Sequence, residues 1–275
     1  MKTFRALSAA VVLAAGFALP AHAAAVHDAS LFTNVLAAND DDSTGQVNLG
    51  FGAFINGTTY TQTYVNNNGN ITFNNRLSTY TPAAIISGGF GPIIAPFFAD
   101  VDTRGSLSDV VRYGTGTLGG RNVFGVNYIN VGVYSAQNIL NTFQLILTDR
   151  SDIGTGDFDI QFNYDSILWE AGTASGAPGG GLGGTSALAG YWTSATSNAT
   201  LAGSLVNGAL VDGGPNALIS NSLNSNVLGQ YNFNVRGGVV QPPISVPEPG
   251  SLALLALALA AAGVASRRKP AAPQA

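Results

Sequence analysis

Two short acidic blocks hold five of the 15 Asp and Glu residues of this 275-residue chain: Asp40-Asp41-Asp42 and Asp100-Val101-Asp102. On an extended segment residues i and i+2 share a face, so Asp100 and Asp102 present their carboxylates to the same side. Two such charges repel unless a cation, an Arg or hydrogen bonds compensate. Arg104 continues that face, so an ion pair with Asp102, with turn capping, is the expected arrangement. Hard oxygen donors also suit Ca²⁺. Asp100 and Asp102 are therefore candidate calcium ligands. Asp40 and Asp42 are further candidates, in a run that otherwise reads as a solvated loop. No other cofactor is expected.

Other chemistries lack their parts. The chain has no Cys, so neither a thiol nucleophile nor a thiolate metal site can form. His22 and His27 are its only histidines, and His22 lies in the segment expected to be removed, which leaves no His-based triad or zinc cluster. Gly114-Thr115-Gly116-Thr117-Leu118-Gly119 fits Gly-x-Gly-x-x-Gly, but Asn122 to Val133 after it reads as a strand. A phosphate cradle needs a helix N-terminus there, so a hairpin loop is expected. Asp100, Asp102, Asp157, Asp159 and Glu170 leave a carboxylate-based glycoside hydrolase as a remote alternative. The expectation is a protein that is not an enzyme.

Both ends of the chain read as targeting signals. Lys2 and Arg5 precede an apolar run from Ala6 to Leu19, and Ala21-His22-Ala23 places small residues at positions −3 and −1 of a cleavage site. That is the pattern of a secretory signal peptide over residues 1–23, handled by the Sec export machinery. The run would reach only about 21 Å as a helix, short of the ~30 Å hydrocarbon layer. At the other end Pro247-Glu248-Pro249 leads into an uncharged Leu/Ala-rich stretch, Ser251 to Ala265, closed by the basic cluster Arg267-Arg268-Lys269. This reads as a marginal transmembrane helix whose cations stay cytoplasmic. The three parts, in this order, resemble the PEP-CTERM sorting signal of Gram-negative bacteria. The resemblance implies recognition by an exosortase-type membrane transpeptidase and removal of the tail. It further implies an inner-membrane intermediate that becomes a cell-surface or extracellular protein.

Between the signals the chain carries six Arg, no Lys and 14 acids, a net charge of roughly −8. Nucleic acid is excluded as a partner, because phosphate binding needs a cationic face. Charged residues are 9% of the chain, against about 25% in ordinary globular proteins. Solubility therefore rests on Asn, Ser, Thr and Gly, and stability on packing and hydrogen bonds without disulfides.

The elements that must position these groups are strands. Asp157 to Tyr164 alternates polar and apolar residues at every step, and Phe143, Leu145 and Leu147 alternate just before it. The Asp/Ser/Gly-rich connection 149–156 makes the two a hairpin. Tyr231, Phe233 and Val235 repeat the pattern. Further strands are expected over 46–55, 58–65, 69–74, 92–99, 109–113, 121–131 and 187–193, with a Gly/Ser/Ala loop over 172–186. Asn68-Gly69 reads as a turn. Trp169 and Trp192 read as packed aromatics rather than sugar platforms. No stretch shows a convincing 3.6-residue period. The expected fold is all-β, an antiparallel β-sandwich-like single domain between the signal peptide and the sorting helix.

The order of several blocks carries a second resemblance. Asn39 to Gly45 leads into Leu49-Gly50-Phe51. Then come Tyr64 to Phe73, Ile93 to Arg104, Asn141 to Leu145, Phe162-Asn163-Tyr164 and Trp169. In this order they resemble the NIDO domain of nidogen, alpha-tectorin and mucin-4, and above all bacterial secreted proteins that pair it with the same sorting tail. The resemblance divides the chain into a signal peptide (1–23), an N-terminal arm (24–38), a nidogen-like domain (39–236), a linker (237–245), the sorting signal (246–270) and a tail (271–275). It implies an extracellular structural or adhesive module in contact with extracellular polysaccharide or surface proteins. A specific glycan- or protein-binding module is the alternative.

Overall fold

The structure is a computed structural model that describes residues 25–83 and 89–242. The signal peptide with Ala21 and Ala23, and the sorting signal with Pro247, Glu248, Pro249, Arg267, Arg268 and Lys269, lie outside the described residues. Among the described residues no helix is long and apolar enough to cross a membrane, and helix is confined to 3₁₀ turns such as Ala29–Leu31 and Thr173–Ser175.

The described residues form fourteen strands, in chain order β1 (Asn34–Val35), β2 (Val47–Ile55), β3 (Thr58–Asn66), β4 (Asn70–Thr72), β5 (Ile93–Phe98), β6 (Val101–Asp102), β7 (Arg112–Leu118), β8 (Arg121–Val133), β9 (Ala136–Asp149), β10 (Phe158–Ser166), β11 (Leu188–Ser194), β12 (Ser197–Thr200), β13 (Gln230–Arg236) and β14 (Val239–Val240). They form two sheets. The larger runs β1-β7-β8-β9-β10-β13-β14, with β6 also on β8. The smaller runs β12-β11-β5-β4-β3-β2. Every pairing of these strands is antiparallel. The fold is the expected all-β sandwich.

Period-2 patterning builds the inner face. Leu147 stands opposite Ile160, and Ile160 opposite Phe233, across β9, β10 and β13. All three belong to one core with Leu145, Phe162, Tyr164 and, from the smaller sheet, Val65, Ile71, Ile94 and Phe97. Full burial of each such side chain contributes about 1.5–3 kcal/mol. Trp169 is fully buried, edge-on to Phe97, with Nε1 donating to the Val131 carbonyl at 3.2 Å. Trp192 is half-buried and packs on the small outer cluster of Ile93, Ala95, Phe98 and Leu188. Because β5 is covered on both faces, Ile93 to Phe98 reads as an unbroken apolar run instead of alternating.

Three expectations change. The Gly-x-Gly-x-x-Gly stretch is not a loop over its length. Gly114 to Leu118 pair with Gly125 to Arg121, and the hairpin turn is confined to Gly119 and Gly120, both at positive φ. The expected strand over 109–113 accordingly starts at Arg112 and runs on to Leu118. The N-terminal arm is part of the sandwich. Phe32 is fully buried with Val123 and Ile146 on the outer face of the larger sheet, and β1 pairs with β7. At the far end β14 extends pairing to Val240, whose N–H donates to Ser197 Oγ at 3.0 Å, linking the larger sheet to β12 of the smaller.

Candidate functional site

Where β3 turns into β4, Asn66, Asn67, Asn68 and Asn70 are all fully buried. Buried amides need partners, and here the partners are the segments that carry the acidic blocks. Asn67 Nδ2 donates to the Val101 carbonyl at 2.6 Å and also to that of Asp40, and Asn67 N–H donates to the Asp42 carbonyl at 3.0 Å. Asn68 Oδ1 accepts from Val101 N–H at 2.9 Å, while its Nδ2 donates to Asp41 Oδ1 at 2.8 Å. Thr103 closes the clasp: its N–H and Oγ1 both donate to the Asn39 carbonyl at 2.9 Å. One turn thus holds the 39–42 loop against the 99–103 segment, although some 60 residues separate the two in sequence.

Three carboxylates meet there. One oxygen each of Asp40, Asp41 and Asp100 lies within 4.8 Å of the others. Asp100 is 1% exposed, and its Oδ2 has no hydrogen-bond partner; nor has Asp40 Oδ1. Burial, with the charges of Asp40, Asp41 and Asp102 added, pushes the Asp100 carboxyl up to about 7, against the opposing pull of Arg104. Burial likewise pushes Asp40 up to about 6, with Asp41 and Asp102 raising it further and Arg104 lowering it.

The other two candidates do something different. Asp102 takes the expected ion pair: Arg104 Nε donates to Oδ1 at 2.9 Å and Nη2 to Oδ2 at 2.8 Å. The same Nη2 reaches Asp40 Oδ2 at 2.9 Å. Asp42 Oδ1 accepts from Ser43 N–H at 2.7 Å and so caps its own turn. The structure therefore joins Asp41, which the sequence reading did not single out, with Asp40 and Asp100. The only advance sign of Asp41 was its place inside the acidic run.

The remaining carboxylates hold structure. Both Glu170 oxygens accept backbone N–H groups, from Gly208 at 2.7 Å and Leu210 at 2.6 Å. Asp157 Oδ1 accepts from Gly237 N–H at 2.8 Å. Asp159 sits between Arg150 and Arg236. His27 Nε2 is bonded to Gln161 Oε1 at 2.8 Å. A separate open cleft of about 360 Å³ lies beside β11, β12 and β13, lined by Tyr191, Leu201, Leu218, Tyr231 and Phe233 together with the polar Asn216 and Gln241.

The described residues form an antiparallel two-sheet sandwich with a clasped acidic turn. The chain belongs to the NIDO-related family, which it matches over residues 21–209. Residues 245–269 match the PEP-CTERM protein-sorting motif. The two matches make this an exported surface protein. It is similar to alpha-tectorin of Mus musculus and of Homo sapiens, each 33% identical over 228 residues, and to alpha-tectorin of Gallus gallus, 31% identical over 229 residues. These alignments take in 74% of this chain, which spans about a tenth of the length of the curated relatives it matches. No solved structure matches.

Proposed function

We propose that this protein is a non-enzymatic structural or adhesive component of the bacterial surface or extracellular matrix, delivered by an exosortase. The observation that carries the reading is the pairing of a NIDO-related domain with a C-terminal sorting motif in one chain. The Sec machinery exports the chain. The Leu/Ala-rich segment halts it in the inner membrane, where Arg267, Arg268 and Lys269 oppose complete translocation. The exosortase then cuts near Pro247-Glu248-Pro249, and the folded domain reaches the surface without its anchor. The anchoring roles of the named carboxylates support a scaffold over a catalyst. The test replaces Pro247, Glu248 and Pro249 by Ala. Export persists, and the tail-bearing precursor accumulates in the inner membrane. Mass spectrometry recovering peptides through Leu252 to Ala275 from mature surface protein would show the tail to be a permanent anchor and overturn the processing step.

A second reading, a specific glycan- or protein-binding module, is favoured by the cleft beside Tyr191, Tyr231 and Phe233. Concave sites with aromatic walls and a few polar groups are the usual form of small-ligand sites. Binding on a glycan array that is lost in Tyr191→Ala would support it. Array-wide silence leaves the scaffold reading in place.

A further inference from the structure

We propose that Asp40, Asp41 and Asp100 form a calcium site that locks the 39–42 loop onto the β5–β6 bend of the sandwich. Two buried carboxylate oxygens, Asp100 Oδ2 and Asp40 Oδ1, have no hydrogen-bond partner. Asp100 Oδ2 is buried, lacks a hydrogen-bond partner and belongs to a side chain 1% exposed. A carboxylate so placed is costly unless a cation or a donor meets it. Its neighbours in the cluster are two more carboxylates, not donors. The one guanidinium at hand, Arg104, lies on the far side of the balance: it chelates Asp102 and reaches only Asp40 Oδ2, leaving Asp40 Oδ1 buried without a partner.

The geometry suits a large hard cation. Calcium–oxygen distances of roughly 2.3–2.6 Å allow ligand oxygens to stand up to about 5 Å apart around one ion. The three carboxylate oxygens fall within 4.8 Å of one another. Every donor in the cluster is oxygen, and the chain has no Cys, so soft metals have no claim on it. Asp40 and Asp41 are only half-buried, which leaves one side of the site open for the waters that complete a calcium shell. Second-sphere order is already in place, since Asn68 Nδ2 holds Asp41 Oδ1 and Asn67 holds the Asp40 backbone. Gly172 leaves the room that the Asp100 carboxylate occupies, because a Cβ there would overlap with Oδ2. An exported domain without disulfides gains from such a clamp, since a cation that binds only the folded state stabilises it by mass action.

The experiment uses the full-length chain purified in mild detergent, with CaCl₂, MgCl₂ or EDTA as the only variable. Calcium well above its dissociation constant raises Tm by roughly 5–10 °C over EDTA, and calorimetric titration with CaCl₂ shows one site. Asp100→Asn and Asp41→Asn each lose the calcium-dependent shift while still unfolding cooperatively in EDTA. Asp42→Asn, outside the cluster, keeps it. A wild-type chain whose Tm is the same in CaCl₂ and EDTA overturns the proposal. So does a calcium shift that survives in both Asp100→Asn and Asp41→Asn. A shift lost equally in Asp42→Asn would place the ion elsewhere on the loop and overturn the assignment of ligands.

Discussion

Gly172 stands against the carboxylate of Asp100, so closely that a Cβ at residue 172 would overlap with Oδ2 and press on the Cβ of Tyr134. The loop after Trp169 thus forms one wall of the acidic cluster, although it contributes no carboxylate. Gly172→Ala is expected to push Asp100 out of position. Overpacking of this kind costs about 1–3 kcal/mol, read as a lower urea midpoint with an unchanged m-value, and any calcium-dependent stabilisation should shrink with it.

The turn that clasps the site has its own fixed point. Gly69 has φ +73°, its N–H donates to the Asn67 carbonyl at 2.8 Å, and a Cβ there would collide with the Phe97 carbonyl oxygen. An L side chain meets both a disfavoured backbone and a steric block that is main chain, which cannot rotate away. Gly69→Ala is expected to destabilise by about 3 kcal/mol or more, whereas Gly57→Ala, also at positive φ but in open space, costs about 1 kcal/mol. Chemical denaturation of the pair separates clash from backbone strain.

Phe32 tests whether the N-terminal arm belongs to the domain. Its ring comes so close to β8 that a Cβ at Gly125 would overlap it, and it is fully buried with Val123 and Ile146. Phe32→Ala is expected to cost about 3–5 kcal/mol. A value near zero in urea unfolding would make the arm a loose appendage.

Asp212 supplies a pH prediction independent of the acidic cluster. Its Oδ1 accepts from Ile167 N–H at 3.0 Å, and burial raises its carboxyl above the usual range despite that bond and one from Ser166. A folded-state value raised above the unfolded 3.8 means that this group's stabilising contribution is complete below that pH and is lost as pH rises through the folded value. Asp212→Asn keeps an oxygen acceptor and removes the titration. Its Tm relative to the wild type should therefore improve between pH 4 and pH 7. A difference that is flat or falls across that window would contradict the assignment.

The strands were legible in advance because their cause is local. Phe143, Leu145, Leu147, Phe158, Ile160 and Phe162 alternate with polar residues, and burying one face of a strand against a second sheet requires that period whatever the partner is. The turn at Asn68-Gly69 was equally local, since positive φ is a property of the residue itself. The bidentate Asp102–Arg104 pair was readable for the same reason, being two residues apart on one segment. The Gly114 to Gly119 motif misled because glycines tolerate both turn and strand, and pairing with β8 decided between them.

The composition of the site was not local, and only the tertiary structure decided it. Arg104 takes Asp102 within one segment, but it is the fold that brings Asp100 against the 39–42 loop. Asp41 and Asp42 are adjacent and chemically identical, but Asn68 holds the carboxylate of one toward the cluster and Ser43 N–H turns the other into a cap. Those choices depend on which buried amide of the β3–β4 turn reaches which carbonyl across some 30 residues of chain. A linear pattern carries the identity of such donors and acceptors. It does not carry their pairing, which follows from how the loops close over the packed sheets.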